Sequence, residues 1–339
     1  VLMMGTRLAK FAVPWLAPWL VLVASGLALA EPQSPGDPPP EPPLAEEGAP
    51  PQGIYQESVE VRWVLVPVVV RGPDGYVKGL GKEDFHLAID GRPIPVASFE
   101  AGEDAPVSLH LLQDLSGSMA NANKLDMSWR VLSFFLSSAE PRDEYAVTTF
   151  AGGEVTVQVP FTSDLWEVRR NKRSWQPYGV TALHDAVAWL PELTLGSRNA
   201  KRVAVLVTDG ADNASVILPE QARQMVRKAE LPVYVLGLGT GVSSVGNRDG
   251  DPRYRYADLL RLLAEQTGGR YVSIGHPREA RRVCVDIWQD LRHQYVLGFR
   301  VDPGDPGNQD RYHEIQVTVK GRKRTAIHRQ GYHGGAPSP

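Results

Sequence analysis

Short, continuous apolar runs alternating with helical patterns constrain this chain more than any other feature. Val233–Leu236 and the part of Arg202–Val207 after Arg202 are unbroken apolar stretches, and Val107–Gln113 is a mainly apolar strand with Ser108, His110 and Gln113 set among Val and Leu. A half-buried strand alternates polar and apolar residues, whereas an unbroken run marks a strand covered on both faces. Helical patterns fall between and after them at Leu125–Ala139, Thr181–Leu190, Glu220–Ala229, Tyr256–Gln266 and Arg278–His293. Tyr145–Phe150 and Val155–Val159 read as a hairpin about Gly152-Gly153, and Tyr271–Ser273 as a further strand. Alternation of this kind predicts a doubly wound α/β fold with a mainly parallel sheet between two helical layers.

The rhythm is all-β on either side. Val59–Val70 reads as a long strand interrupted near Pro67, and Phe85–Ile89 and Ile94–Phe99 as strands about the turn Asp90-Gly91. After His293, the segments Tyr295–Val301, Glu314–Val319 and Thr325–Arg329 are again strand-like. Each block is too small for a core of its own. Pairing the two into one β-sandwich would bury both faces and cover their edges.

The chain's 339 residues allow two or three domains. Residues 1–30 read as a signal peptide: Arg7 and Lys10 supply a positive start, Phe11 to Ala30 is uncharged and apolar, and Ala28-Leu29-Ala30 fits a cleavage site. An uncleaved membrane anchor is the rival reading. Residues 31–53 are rich in proline with Glu and Asp and carry no Lys or Arg, the composition of an extended spacer. The remaining partition is an N-terminal β segment (54–101), the α/β domain (104–292), a C-terminal β segment (293–333) and a disordered tail (334–339). The expected location is outside the cytoplasm: periplasmic, cell-surface or secreted.

A net charge of −3 provides no basic field for nucleic acid. The single cysteine excludes an intrachain disulfide and a cysteine-based zinc site. Cys284 sits on the stripe Ala280, Val283, Cys284, Ile287, Trp288, Leu291, which predicts a buried thiol on an amphipathic helix.

Five oxygen-bearing side chains carry the functional signal. Asp114, Ser116 and Ser118 lie in DLSGS after the Val107 run, Thr181 lies in GVTALHD, and Asp209 lies in VTDGAD after the Arg202 run. Open α/β sheets bind ligands at the carboxyl ends of their strands, so these segments are expected to meet at one sheet edge. Two carboxylates and three hydroxyls suit a hard divalent cation such as Mg²⁺, with Mn²⁺ or Ca²⁺ as alternatives. Taken singly, each has a plainer reading. Asp114 or Ser116 would be a helix cap or Asx-turn, Thr181 the N-cap of its helix, and Asp209 a turn residue before Gly210.

The α/β block resembles the von Willebrand factor A-type domain, the integrin I-domain class, whose metal-ion-dependent adhesion site is Asp-x-Ser-x-Ser, then Thr, then Asp. Asp114, Ser116, Ser118, Thr181 and Asp209 match it one for one, over roughly Asp104 to Arg292. The resemblance implies a cation held by these residues, with an open position that accepts an Asp or Glu carboxylate from a protein partner. Val180 departs from it, standing where many members have a second glycine beside Gly179. The segments before the block (Val59–Phe99) and after it (HQYVLGF) also resemble exported bacterial von Willebrand-related proteins.

The predicted function is therefore metal-dependent protein binding, not catalysis. A hydrolase would need an acid or base, and the nearest candidates, His184 and Asp185, fall one turn beyond Thr181. Asp185 is expected to brace the loop instead. An adaptor or scaffold subunit of a larger assembly, such as a motor ATPase, is the other alternative, and the export signal argues against the motor. No GxGxxG follows the first strand of the block, which sets aside a dinucleotide site, and GLGTG at 237–241 reads as a turn.

Overall fold

The computed structural model describes residues 62–101, 105–121, 123–171, 175–210, 212–227, 231–239, 252–302 and 311–334. The signal-peptide and linker readings at residues 1–53 lie outside these residues, as does the tail beyond 334. No helix among the described residues is long and apolar enough to cross a membrane.

Among the described residues, the first elements are β1 (Arg62–Gly72), β2 (Gly75–Tyr76), β3 (Phe85–Ile89), β4 (Arg92–Ile94) and β5 (Ser98–Glu100). The central block follows as β6 (Val107–Asp114), α1 (Lys124–Ser137), β7 (Glu144–Ala151), β8 (Glu154–Thr162), α2 (Leu165–Asn171), α3 (Leu183–Ala188) and α4 (Leu190–Leu193). It continues with β9 (Lys201–Thr208), α5 (Pro219–Arg227), β10 (Val233–Leu238), α6 (Pro252–Thr267), β11 (Tyr271–Ile274) and α7 (Pro277–Arg292). After it, among the described residues, come β12 (Gln294–Val301), β13 (Tyr312–Val319), β14 (Thr325–His328) and β15 (Gly331–His333).

The central sheet runs β11-β10-β9-β6-β7-β8, with every pairing parallel except the β7–β8 hairpin. Every residue of β6, β7 and β10 is buried, as a sheet covered on both faces by helices requires. One face packs Leu109, Leu111, Val205 and Leu236 against α1 and α7. The other packs Leu112, Leu206 and Val235 against α3, α5 and α6. Cys284 lies in the first of these layers, and burial pushes its thiol up to about 12, which leaves an inert packing group.

The two flanking β blocks interleave. β1 pairs with β12 and β14, and β5 joins the far side of β12. β3 pairs with β13, flanked by β4 and β15. Val66, Val68, Phe85, Leu297 and Ile315 fill the space between the sheets, so neither block is a domain alone.

Three expectations are corrected here. β1 passes through Pro67 without a break, because β14 pairs only from Val68 onward and no second ladder reaches the proline. The expected strand Ile94–Phe99 is two: Pro95 ends β4 on one sheet, and β5 begins on the other. The helix expected at Thr181–Leu190 is a shorter α3 followed by α4, with Pro191 at the start of the latter.

His110, 1% exposed in β6, meets Thr148 through Nε2 at 2.9 Å, and burial lowers its pKa to about 4. Between pH 6.5 and 4 the unfolded chain takes up this proton and the folded chain refuses it, so stability falls as pH falls. The wild type should lose about 2–3 kcal/mol more between pH 7 and 4.5 than His110→Gln, read from urea midpoints.

Candidate metal centre

The connection from β6 leads to one side of the sheet, and that from β9 to the other. Loops that diverge in this way leave a crevice at the strands' carboxyl ends, where open α/β sheets place ligands. The two strands run parallel with Gln113 beside Val207, so Asp114 and Asp209 emerge side by side at this crevice.

Asp114 is fully buried. Its Oδ1 accepts the Ser116 backbone N–H at 2.8 Å, and its Oδ2 accepts the Thr208 hydroxyl at 2.6 Å. Burial raises its carboxyl to about 6; hydrogen bonds from Ser116 and Thr208 work against that rise, and the Asp209 charge adds to it. The Asx-turn reading is thus half correct, but it uses only one oxygen and leaves the negative charge in place. Ser116 occupies the N-cap position of a short 3₁₀ turn, Gly117–Ala120, yet its side chain caps nothing. Its Oγ lies 3.1 Å from Ser118 Oγ.

Thr181 is carried on the neighbouring loop, drawn against the Asp114 loop by a bond from Gly117 N–H to Gly179 C=O at 3.0 Å. A Cβ on Gly117 would stand only 3.1 Å from that oxygen. Thr181 precedes the N-cap residue of α3, Ala182, so it is not the cap the plain reading made it. Its N–H donates to Asn213 Oδ1 at 2.8 Å, and its C=O accepts from the N–H groups of Asn213 and Ala214. These bonds fasten the loop to the chain that follows Asp209. Val180 is accommodated without strain: Gly179 takes the positive φ, 65°, and Val180 is not among the residues with one.

Gly179 itself cannot be replaced cheaply, since a Cβ there would stand 2.7 Å from Gly152 Cα. Gly179→Ala should cost about 1–3 kcal/mol in the denaturation midpoint and weaken any ligand held by Thr181.

Neighbouring polar groups are committed elsewhere. The Asp185 carboxylate accepts the backbone N–H groups of Val216 and Ile217, the bracing role expected of it. His184 Nδ1 is 3.2 Å from Asp212 Oδ2, and burial lowers its pKa. Thr208 and Lys124 are site residues that the sequence reading missed. Thr208 links Asp114 to the Gly210 N–H, and Lys124 Nζ lies 2.8 Å from Asp209 Oδ2.

The donor chemistry fits a hard cation: buried carboxylate oxygen, paired hydroxyls, and no nitrogen or sulfur in the set. Among the described residues no three His, Cys, Asp or Glu side chains gather.

An open, mainly parallel sheet with oxygen-bearing loops at its switch point has the α/β architecture that places ligands at strand carboxyl ends. Residues 109–211 match the family model of the von Willebrand factor type A domain, which gives the central fold its class. No curated protein matches the chain. Among solved structures, it is similar to an aerotolerance-related membrane protein of Bacteroides fragilis, with 21% identity, 55% of this chain and 98% of that one covered, and a TM-score of 0.44. A von Willebrand factor type A protein of Catenulispora acidiphila shows 12% identity over 81% of this chain and 75% of its own, with a TM-score of 0.47. The von Willebrand domain of the type V pili tip protein Mfa5 from Porphyromonas gingivalis shows 12% identity over 55% of this chain and 94% of its own, with a TM-score of 0.41.

Proposed function

We propose that this chain is an exported protein-binding module of the adhesion type, in which a divalent cation at Asp114, Ser116, Ser118, Thr181 and Asp209 receives an acidic side chain of a protein partner. The observation that carries this reading is Asp114. Its carboxylate is fully buried, raised to about 6 by burial, and beside a second carboxylate and two adjacent hydroxyls. Such a group is costly without a cation and favourable with one. Mg²⁺ would supply the positive charge that draws a partner's carboxylate. The α/β frame would hold the donor loops in place, and the export signal would set the site outside the cytoplasm. On this reading His184, paired with Asp212, braces the loop after Asp209 and is not a catalytic base.

Calorimetric titration with MgCl₂ should show one site in the wild type and none in Asp114→Ala. Capture of partners from the producing cell's envelope should then require Mg²⁺ and fail both in chelator and with Asp114→Ala. Capture that continues unchanged in chelator would sink the reading.

A further inference from the structure

Lys124 is the first residue of α1, after Asn123 in the left-handed conformation (φ 63°). A cation at a helix N-terminus opposes the macrodipole, so the fold places this ammonium against local preference. The lysine stem passes over the end of β10, where a Cβ on Gly239 (φ 63°) would meet Lys124 Cε at 3.2 Å. Nζ then reaches Asp209 Oδ2 at 2.8 Å, with the lysine side chain 19% exposed and the aspartate side chain 4% exposed. The ion pair is built and largely sheltered, and one of its members is a proposed cation ligand.

We propose that Lys124 is a positioning residue that takes up the charge of Asp209, weakening the site's hold on its cation while strengthening the cation's hold on an incoming carboxylate. This rests on the reading of the five residues as a cation site. Asp114 and Asp209 bring two negative charges, and Lys124 cancels one. A divalent cation among them is left with net positive charge, which attracts a further carboxylate. Without Lys124 the two aspartates neutralise the cation. Metal then binds tighter and the carboxylate loses its electrostatic pull. Asp212 and Asp185, bonded to His184, Ser215 and backbone N–H groups, are the same in the wild type and in every Lys124 variant, so the comparison isolates the lysine charge. A lysine that only anchored α1 would produce no such opposition, since its loss would weaken both ligands or neither.

The test uses the full chain with MgCl₂ alone by calorimetry, then acetate titrated into the Mg²⁺-saturated protein by NMR. Lys124→Met and Lys124→Gln should each bind Mg²⁺ about tenfold tighter, and acetate several-fold more weakly, than the wild type. Lys124→Arg, which keeps the charge, should resemble the wild type in both. An Mg²⁺ gain below about fivefold in both neutral variants, or acetate binding that does not weaken, overturns the role of Lys124 and leaves the cation site standing. Failure of the wild type to bind Mg²⁺ at all overturns the cation site itself.

Discussion

Asp114→Asn should abolish Mg²⁺ binding and, in the metal-free protein, raise stability. The two effects have one cause. The carboxyl is fully buried and its pKa is raised to about 6, from an ordinary 3.8, chiefly by desolvation. Well below the unfolded value of 3.8 the group is neutral in both folded and unfolded chains and costs nothing. As pH rises from about 4 to about 6 the unfolded chain releases the proton and the folded chain does not, so stability is lost over that window and no further above it. The gap amounts to about 3 kcal/mol at neutral pH. Asparagine keeps an oxygen for the Ser116 N–H, and the Thr208 hydroxyl can turn to accept instead of donate. The variant should therefore unfold at higher urea than the metal-free wild type at pH 7.5 and at nearly the same urea at pH 4. Excess Mg²⁺ should stabilise the wild type by mass action and leave the variant unmoved. A variant less stable than the metal-free wild type at pH 7.5 would show that Asp114 serves the loop more than a ligand.

The central sheet was legible because burial on both faces writes itself into sequence as short, mainly apolar runs, and β6, β9 and β10 lie where Val107–Gln113, Arg202–Val207 and Val233–Leu236 placed them. The positions of Asp114 and Asp209 followed, since each ends a strand at a fixed edge of a parallel sheet. Interleaving of the flanking blocks was only one of the arrangements their sizes allowed. β1 and β12 carry apolar residues that any sheet would bury, and nothing local says that they bury them together. β15 went unread because Gly331-Tyr332-His333 has no strand pattern; it is held by pairing with β13. Lys124 was missed for a different reason. Its partner, Asp209, is distant in sequence, and a lysine opening a helix next to Leu125 looks like a solvated end. Polar contacts across loops leave no periodic trace, and only the fold brings them together.

The largest stability loss is expected from Asp290→Ala. Asp290 lies near the end of α7, and its side chain is only 4% exposed. Its Oδ1 accepts from Arg71 at 2.6 Å and Tyr76 at 2.7 Å, both from the sandwich, and its Oδ2 meets Arg270 at 2.8 Å, before β11. Tyr234 of β10 adds its hydroxyl at 3.4 Å. One carboxylate thus joins β1 and β2 to the helix and the sheet edge of the α/β block. Burial and the nearby negative charge hold both tyrosine hydroxyls protonated. Removing the carboxylate leaves two guanidinium groups and two hydroxyls facing each other without their common acceptor. A fully buried pair broken in this way costs 3–5 kcal/mol, but both arginines are about one-third exposed and water relieves part of that. The expected loss is about 2–4 kcal/mol. Arg71→Ala should cost less, because Asp290 keeps Arg270 and Arg71 is the more exposed member. Urea midpoints followed by intrinsic fluorescence test the order. If Arg71→Ala proves as damaging as Asp290→Ala, the sandwich contact alone holds the junction, and the carboxylate is not its centre.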